Sequence, residues 1–186
     1  MCPNHLSSLL LLALVGCVGS SDPAPGVDGS LPFASALDGQ LPRDGSAASA
    51  TTCESLETPF SGACYLAVGY KWMDYKAATQ LCQANGARVA SILSAAENQF
   101  VYALLPASNQ AAWIGLKRKG GSHVWDDGTP LTYKNWAPGE PNNDNGTESC
   151  SVIWGPALGQ ISLRARWNDV PCASPGRDTV ICKRQP

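Results

Sequence analysis

Cysteine is the residue that most restricts how this chain can fold. Eight cysteines occur in 186 residues, and six of them fall between positions 53 and 182. Cysteines at this density indicate an oxidising compartment unless they bind metal, and the sequence has no Cys-x-x-Cys pair that would favour a metal site. We therefore expect an exported protein with a disulfide framework, for which six cysteines permit fifteen pairings. The six are Cys53, Cys64, Cys82, Cys150, Cys172 and Cys182.

The N-terminus also indicates export. Leu9 to Val18 is an uncharged apolar run, about half of the roughly 20 residues that a membrane-spanning helix needs. We interpret residues 1–16 as a signal peptide. The segment Leu14-Val15-Gly16-Cys17 resembles a bacterial lipobox, which would make Cys17 a lipidated mature N-terminus; the alternative is ordinary cleavage two or three residues later, with Cys17 discarded. The predicted location is extracellular or in the cell envelope, with membrane contact only through that lipid.

The composition changes abruptly after the leader. Residues 17–52 are rich in Gly, Ser, Ala, Pro and Asp, with Phe33 as the only aromatic residue. Such a segment cannot bury enough apolar area to offset the entropy of ordering it, so we predict a disordered tether. The folded domain is assigned to residues 53–186. The chain has no repeat, collagen-like period or sustained heptad that would predict an oligomer.

The charge and residue content exclude several classes of function. Thirteen Lys and Arg stand against 15 Asp and Glu, a net charge of −2, so the chain lacks the basic footprint of a nucleic-acid-binding protein. An enzyme is also disfavoured. His123 is the only histidine beyond the leader, no cysteine is expected to be free, and no nucleophile motif occurs.

The domain divides into a regular first half and a loop-rich second half. Apolar spacing predicts helices over Asp74–Asn85, followed by Gly86, and from the Ser94-Ala95-Ala96-Glu97 capping box as far as Pro106. Short strands are predicted at Cys64–Val68 and Trp113–Leu116. The segment between Tyr133 and Ser149 is almost entirely polar. The pattern is that of an α+β domain whose long loop is held by something other than apolar packing.

That loop gathers carboxylates without cations. No basic residue occurs between Lys134 and Arg164, although Glu140, Asp144 and Glu148 lie there among several asparagines. A hard divalent ion would relieve the repulsion, and calcium accepts six to eight oxygens from carboxylates, amides and water. Nitrogen and sulfur ligands for softer metals are scarce. The alternative is a solvated acidic turn in which the asparagines serve turn geometry.

The ordered landmarks from Trp113 onward resemble the C-type lectin domain in its long form. They are Trp113-Ile114-Gly115-Leu116, Asn135-Trp136, Glu140-Pro141-Asn142, Glu148-x-Cys150, Trp167-Asn168-Asp169, Cys172 and Cys182. The resemblance implies two helices, two small antiparallel sheets and a long calcium-binding loop. It also implies three disulfides, Cys53–Cys64, Cys82–Cys182 and Cys150–Cys172.

The resemblance further implies a ligand set for one Ca²⁺. That set also binds the sugar, because two vicinal hydroxyls complete the coordination of the ion while the same side chains hydrogen-bond to them. The Glu-Pro-Asn order implies equatorial 3- and 4-hydroxyls, as in mannose, fucose, glucose or N-acetylglucosamine, and a cis peptide before Pro141. The implied ligands are Glu140, Asn142, Glu148, Asn168 and Asp169.

Two features depart from the family pattern. Arg118 and Ser149 stand where members with an accessory calcium site carry acidic residues, so we expect that site to be lost. The stretch Ser151–Arg166 is longer than usual and contains Trp154, Arg164 and Arg166, which either extend the binding surface or form a long hairpin with a packed tryptophan.

The expected function is calcium-dependent carbohydrate binding, with glycans or glycoconjugates as partners. The alternative is a protein-binding or adhesion module in which calcium is only structural.

Overall fold

The computed structural model describes residues 52–174 and 176–186. The predicted signal peptide at 1–16, Cys17 and all but the last residue of the predicted tether lie outside these residues. None of the helices in the described part is long and apolar enough to cross a membrane.

The described chain forms two helices, eight strands and two short 3-10 turns. The helices are α1 (Tyr75–Ala84) and α2 (Ala95–Ala103), and the 3-10 turns are Asp144–Gly146 and Ile161–Leu163. The strands are β1 (Thr58–Phe60), β2 (Ala63–Met73), β3 (Arg88–Val89), β4 (Ala111–Lys119), β5 (Ser122–Trp125), β6 (Glu148–Trp154), β7 (Trp167–Pro171) and β8 (Arg177–Arg184). Both predicted helices are present, and the α+β class is confirmed.

Helix α1 begins as its sequence predicts. The Asp74 carboxylate accepts a hydrogen bond from the Ala77 N–H at 2.7 Å, which satisfies one of the donors that an α-helix leaves free at its N-terminus. Tyr75, Ala78 and Cys82 form the buried face. Gly86 follows the helix with a φ of +65°, a conformation that glycine adopts without steric cost.

Helix α2 starts at the predicted residue, but its capping box is only half formed. The Ser94 hydroxyl accepts from the Glu97 N–H at 3.1 Å. The Glu97 carboxylate does not return to Ser94; it accepts from the Leu93 N–H at 2.7 Å and from Lys183 Nζ at 2.7 Å, and the Tyr65 hydroxyl donates to it as well. The helix ends at Ala103, a few residues before Pro106, where the sequence predicted its end.

The strands form two antiparallel groups that are joined into one mixed sheet. One group consists of β1, β2, β8 and β3, and the other of β5, β4, β6 and β7. Parallel pairs between β4 and β8, Ala112 with Thr179 and Trp113 with Val180, connect them. The two sheets implied by the family resemblance are therefore continuous.

Buried tryptophans dominate the core. Trp113, Trp125 and Trp167 are almost completely buried. The Trp113 ring N–H donates to the Met73 carbonyl at 3.0 Å, so this polar atom is satisfied inside the core. Gly115 allows β4 to approach β3, because a Cβ at this position would lie 2.5 Å from the Val89 carbonyl oxygen.

The three disulfides connect the pairs that the resemblance implied. Cys53–Cys64 closes a separation of 11 residues, Cys150–Cys172 one of 22, and Cys82–Cys182 one of 100. Cys82 and Cys182 are completely buried, and their bond ties α1 to the last strand.

The long disulfide should stabilise the domain more than the short one. In the chain-entropy model, closing about 100 residues contributes about 4.7 kcal/mol and closing about 11 contributes about 3 kcal/mol. We expect the double variant Cys82→Ala/Cys182→Ala to lose about 2 kcal/mol more free energy of unfolding than Cys53→Ala/Cys64→Ala. Denaturant unfolding of both variants beside the wild type measures this difference. An equal loss in the two variants would contradict the prediction.

Candidate functional site

The polar loop is fastened to the core through Trp167. The backbone N–H of Trp167 donates to the Asn135 carbonyl at 2.8 Å, and its carbonyl accepts from the Ala137 N–H at 2.8 Å. The Trp136 ring packs edge-on against the Trp167 ring, with centroids 5.8 Å apart. Glu140 is connected in turn by its N–H, which donates to the Ala137 carbonyl at 3.0 Å. The loop is thus held by a buried residue of β7 rather than by a core of its own.

Asp169 orders the next part of the loop. Its side chain is 1% exposed, and its two carboxylate oxygens accept from the backbone N–H groups of Asn142 and Asn143, both at 3.0 Å. The Glu140–Pro141 peptide bond just before them is cis. A carboxylate that accepts two main-chain donors is a stronger anchor than a neutral side chain. Asp169 therefore places Glu140 and Asn142 above β7.

Further hydrogen bonds link Glu148 to the same group. Its carboxylate accepts from the Asp144 N–H at 2.8 Å, and its own N–H donates to the Asn143 side-chain oxygen at 3.2 Å. The Asn142 amide donates to the Glu140 carboxylate at 3.2 Å. Four of the five predicted ligands, Glu140, Asn142, Glu148 and Asp169, therefore belong to one hydrogen-bonded cluster.

Asn168, the fifth predicted ligand, lies next to Asp169 in β7. Its side chain is half-buried, and in the described residues it makes no hydrogen bond to the other four. Glu140, Glu148 and Asp169 do not each place a carboxylate oxygen within 4.8 Å of one from both of the others.

Burial and neighbouring carboxylates raise the pKa of Glu140 and of Glu148. Burial raises the pKa of Glu140 above its ordinary value, and the adjoining carboxylate of Asp169 and the charge of Glu148 raise it further. Burial also raises the pKa of Glu148, with a further contribution from the charges of Asp169 and Asp144. The folded chain thus holds negative charges together at an energetic cost that a bound cation would remove.

Arg118 lies against this cluster. One guanidinium nitrogen is 3.1 Å from the Asp169 carboxylate, and its Nε donates to the Glu148 carbonyl at 3.3 Å. The sequence placed Arg118 at the accessory position but gave no sign that it contacts a predicted ligand. The spacing of Arg118 from the Trp113–Leu116 strand is the one relevant feature of the sequence. The contact itself arises because β4 pairs with β6, and β6 pairs with the strand that carries Asp169.

The long segment before Trp167 is a hairpin connection with a packed tryptophan. Ser151–Trp154 completes β6, and Trp154 packs against the core cluster that contains Trp113. Arg166 donates to the Asn135 side-chain oxygen at 2.9 Å, so it lies beside the loop. Ile161 in the connection is 72% exposed.

Two cavities lie outside the ligand cluster. One of about 720 Å³ borders it on the side of Arg118 and Ser149. Another of about 740 Å³ lies between α1 and the end of β8, where Lys183 and Arg184 are already paired with Glu97 and Glu57. We assign the site from the converging oxygen ligands rather than from cavity size.

The donor set of the cluster fits calcium. All five candidate ligands offer carboxylate or amide oxygens, which hard divalent cations prefer. All six cysteines of the described chain are in disulfides, and His123 is outside the cluster.

Comparison with known proteins shows the family of this domain. The chain belongs to the C-type lectin domain family, because the profile of the lectin C-type domain matches residues 71–184. Pulmonary surfactant-associated protein D of Bos taurus is 38% identical over 111 residues. That match covers 59% of this chain and 27% of the relative, so the chain corresponds to about a quarter of that protein's length.

Solved structures with the same fold include a carbohydrate-recognition domain and an antifreeze protein. The cow carbohydrate-recognition domain of CD23, crystallised in the presence of a GlcNAc2Man3 oligosaccharide, superimposes with a TM-score of 0.64 at 29% identity. That comparison covers 73% of this chain and 98% of the other. A calcium-independent type II antifreeze protein gives a TM-score of 0.61 at 26% identity, with 72% and 95% covered. The fold alone therefore does not decide calcium dependence.

The anchoring role of Asp169 can be tested without calcium. In Asp169→Asn, one of the two main-chain donors should face an amide N–H₂ instead of an oxygen. A hydrogen bond to a charged group contributes about 1.5–3 kcal/mol, so we expect the amides of Asn142 and Asn143 to exchange at least about tenfold faster.

Hydrogen–deuterium exchange with a chelator present measures this. Asp144→Asn is the matched control, because in the described chain the Asp144 carboxylate accepts only from the Asn145 side chain. Unchanged protection in Asp169→Asn would show that the loop is ordered without this carboxylate.

Proposed function

We propose that this protein binds carbohydrate through a calcium site formed by Glu140, Asn142, Glu148, Asn168 and Asp169. The observation that carries the proposal is that four of these residues belong to one hydrogen-bonded cluster. The Asp169 carboxylate accepts from the main chain of Asn142 and Asn143, and Asn168 is adjacent to it in β7. Bound calcium would supply coordination positions for two neighbouring sugar hydroxyls.

The protein side chains would do the rest of the recognition. Glu140 and Glu148 are acceptors for sugar hydroxyl protons, whereas Asn142 and Asn168 carry amide donors for the hydroxyl oxygens. Asp169 fixes the loop through Asn142 and Asn143. A ligand frame that is ordered before binding loses less entropy when the sugar arrives.

The sugar class follows from the order of donor and acceptor. Glu140 places a carboxylate and Asn142 an amide on either side of Pro141, the Glu-Pro-Asn order that is associated with equatorial 3- and 4-hydroxyls in this family. We propose mannose, fucose, glucose or N-acetylglucosamine as ligands. The CD23 structure determined with a mannose-containing oligosaccharide supports glycans as the partners.

A second candidate function is protein binding with calcium as a structural ion. The exposed Ile161 in the connection between β6 and β7 favours it, because an isolated apolar side chain at a loop tip can serve as a contact to a partner. A glycan array read with and without a chelator separates the two. Binding to glycans that the chelator abolishes supports the sugar site, and binding that ignores the chelator contradicts it.

The cellular location is also a proposal. The disulfides of the domain suit an extracellular or cell-envelope compartment, and lipidation of Cys17 would hold the domain at a membrane surface. Mass spectrometry of the mature N-terminus tests the anchor, since a lipid-modified Cys17 and an unmodified N-terminus after it differ in mass.

Removing single ligands should abolish sugar binding but preserve the fold. We expect Glu140→Ala and Asn168→Asp to lose retention on mannose-agarose, because one removes an oxygen ligand and the other replaces an amide donor with a carboxylate. Asp144→Asn, on the same loop but outside the proposed ligand set, should bind like the wild type. Far-UV circular dichroism checks the fold. Calcium-dependent retention of Glu140→Ala would exclude Glu140 as a ligand.

Calcium binding should weaken as the pH falls. The weakening should begin at a higher pH than it would for carboxylates with ordinary pKa values. The pKa values of Glu140 and Glu148 are raised in the calcium-free fold, so protons compete with the ion above the usual carboxylate range. A carboxyl with a raised folded-state pKa stabilises the calcium-free fold below its unfolded pKa and loses that contribution as the pH rises through the folded value.

The stabilisation by calcium should therefore be largest near neutral pH, at about 2.7 kcal/mol when calcium is 100-fold above Kd. It should shrink as the pH falls towards about 5 and below. Thermal melts with calcium and with chelator, at pH 7, 6, 5 and 4, measure the change. A calcium-induced shift in Tm that is equal at pH 7 and pH 4 would contradict the prediction.

A further inference from the structure

Arg166 is a cation beside the polar loop, and no carboxylate of the described residues is paired with it. The ion pairs of the described residues involve Lys117, Arg118, Lys183 and Arg184. Arg166 is exposed, and its Nη1 donates to the uncharged side-chain oxygen of Asn135 at 2.9 Å. Its full charge and its other N–H donors therefore remain available to a ligand.

The strand geometry places Arg166 on the same face as Asn168. The Arg166 carbonyl accepts from the Trp154 N–H at 2.9 Å, and the Ala165 N–H donates to the Trp154 carbonyl at 2.9 Å. Ala165, with a φ of +63°, and Arg166 therefore both face Trp154, as in a β-bulge at the start of β7. The intervening Trp167 side chain is completely buried in the core. Because side chains alternate along a strand, Arg166 and Asn168 lie on the face opposite Trp167, with Cα atoms about 7 Å apart. Asp169 follows on the face of Trp167, so Asn168 is the candidate ligand nearest to Arg166 along the strand.

The guanidinium is also held in position. Asn135 accepts from Arg166 and donates from its own amide to the Ala165 carbonyl at 2.7 Å. The buried Asn98 donates to the same carbonyl at 3.0 Å. An arginine that is already oriented loses less side-chain entropy when it pairs with an anion than a free surface arginine does.

We propose that Arg166 determines specificity for anionic glycans by pairing with a sulfate or carboxylate group of the sugar whose hydroxyls occupy the proposed calcium site. This inference rests on the proposed function and names the ligand class of the same site. Arg118 cannot take this role, because the Asp169 carboxylate already binds its guanidinium. Arg164 is only half-exposed, and its Nε donates to the Leu158 carbonyl at 3.0 Å.

The test uses two matched pairs of sugars that keep the equatorial 3- and 4-hydroxyls. One pair is N-acetylglucosamine and its 6-sulfate, and the other is methyl glucoside and methyl glucuronide. Each pair differs by an anionic group at the same end of the ring, so the sulfate and carboxylate arms distinguish the two kinds of anion. Competition for mannose-agarose in calcium gives the relative affinities.

We expect the wild type to bind the anionic member of at least one pair about fivefold more tightly than the neutral member. Arg166→Gln should bind both members of that pair equally, with unchanged affinity for the neutral sugar. Arg166→Lys should keep part of the preference, because the charge remains and the planar fork is lost. Arg88→Gln, which removes an exposed arginine from the distant strand β3, is the matched control and should behave like the wild type.

Each other result overturns the inference. Equal binding of neutral and anionic sugars by the wild type, or a preference that survives in Arg166→Gln, excludes the role of Arg166 and leaves the proposed function intact. Anion binding through Arg166 that persists with a chelator shows a site separate from calcium. Failure of all neutral sugars to bind in calcium overturns the proposed function, and this inference with it. A thermal melt of Arg166→Gln confirms that the variant is folded.

Discussion

The main-chain hydrogen bonds of Trp167 are the interaction on which the site depends. The ring is buried, and its N–H donates to Asn98 at 2.7 Å, while its backbone N–H and carbonyl hold Asn135 and Ala137. A polar loop has too little apolar surface to be ordered by its own burial. It is ordered instead by hydrogen bonds to a residue that is fixed in the core. The two residues that follow, Asn168 and Asp169, are thereby placed directly beside the loop that carries Glu140 and Asn142.

The parts of the structure that follow from local chemistry could be predicted from the sequence. The cap of α1 needs only Asp74 and the next turn, and the cysteine pairing follows from ordered landmarks shared with a known family. Glu97 shows where this fails. Its capping-box position predicts a bond to Ser94, but its carboxylate instead serves Tyr65 and Lys183, which are distant in sequence. Local rules carry no information about such partners, and the same holds for the parallel pairing of β4 with β8.

Arg118 shows the same limit at the site. Its position after the Trp113–Leu116 strand indicates the loss of a second ion, but only the folded hairpin brings it to Asp169. The contact has a consequence for charge. The carboxylates Glu140, Glu148, Asp169 and the neighbouring Asp144 carry −4 when ionised, and Arg118 reduces this to −3. The cluster therefore keeps a net negative charge, which a bound cation would reduce.

The fold and the ligands contribute separately to function. A calcium-independent antifreeze protein shares this fold, so two helices, a mixed sheet and a long loop are compatible with quite different binding surfaces. In this chain two arginines near the loop make different contacts. Arg118 is paired with the carboxylate cluster and takes part in its electrostatics. Arg166, two residues before Asn168, is oriented by a neutral amide and keeps its charge. A neutral sugar would need only the carboxylate cluster with which Arg118 is paired. The unpaired charge of Arg166 would matter only to a ligand that carries negative charge.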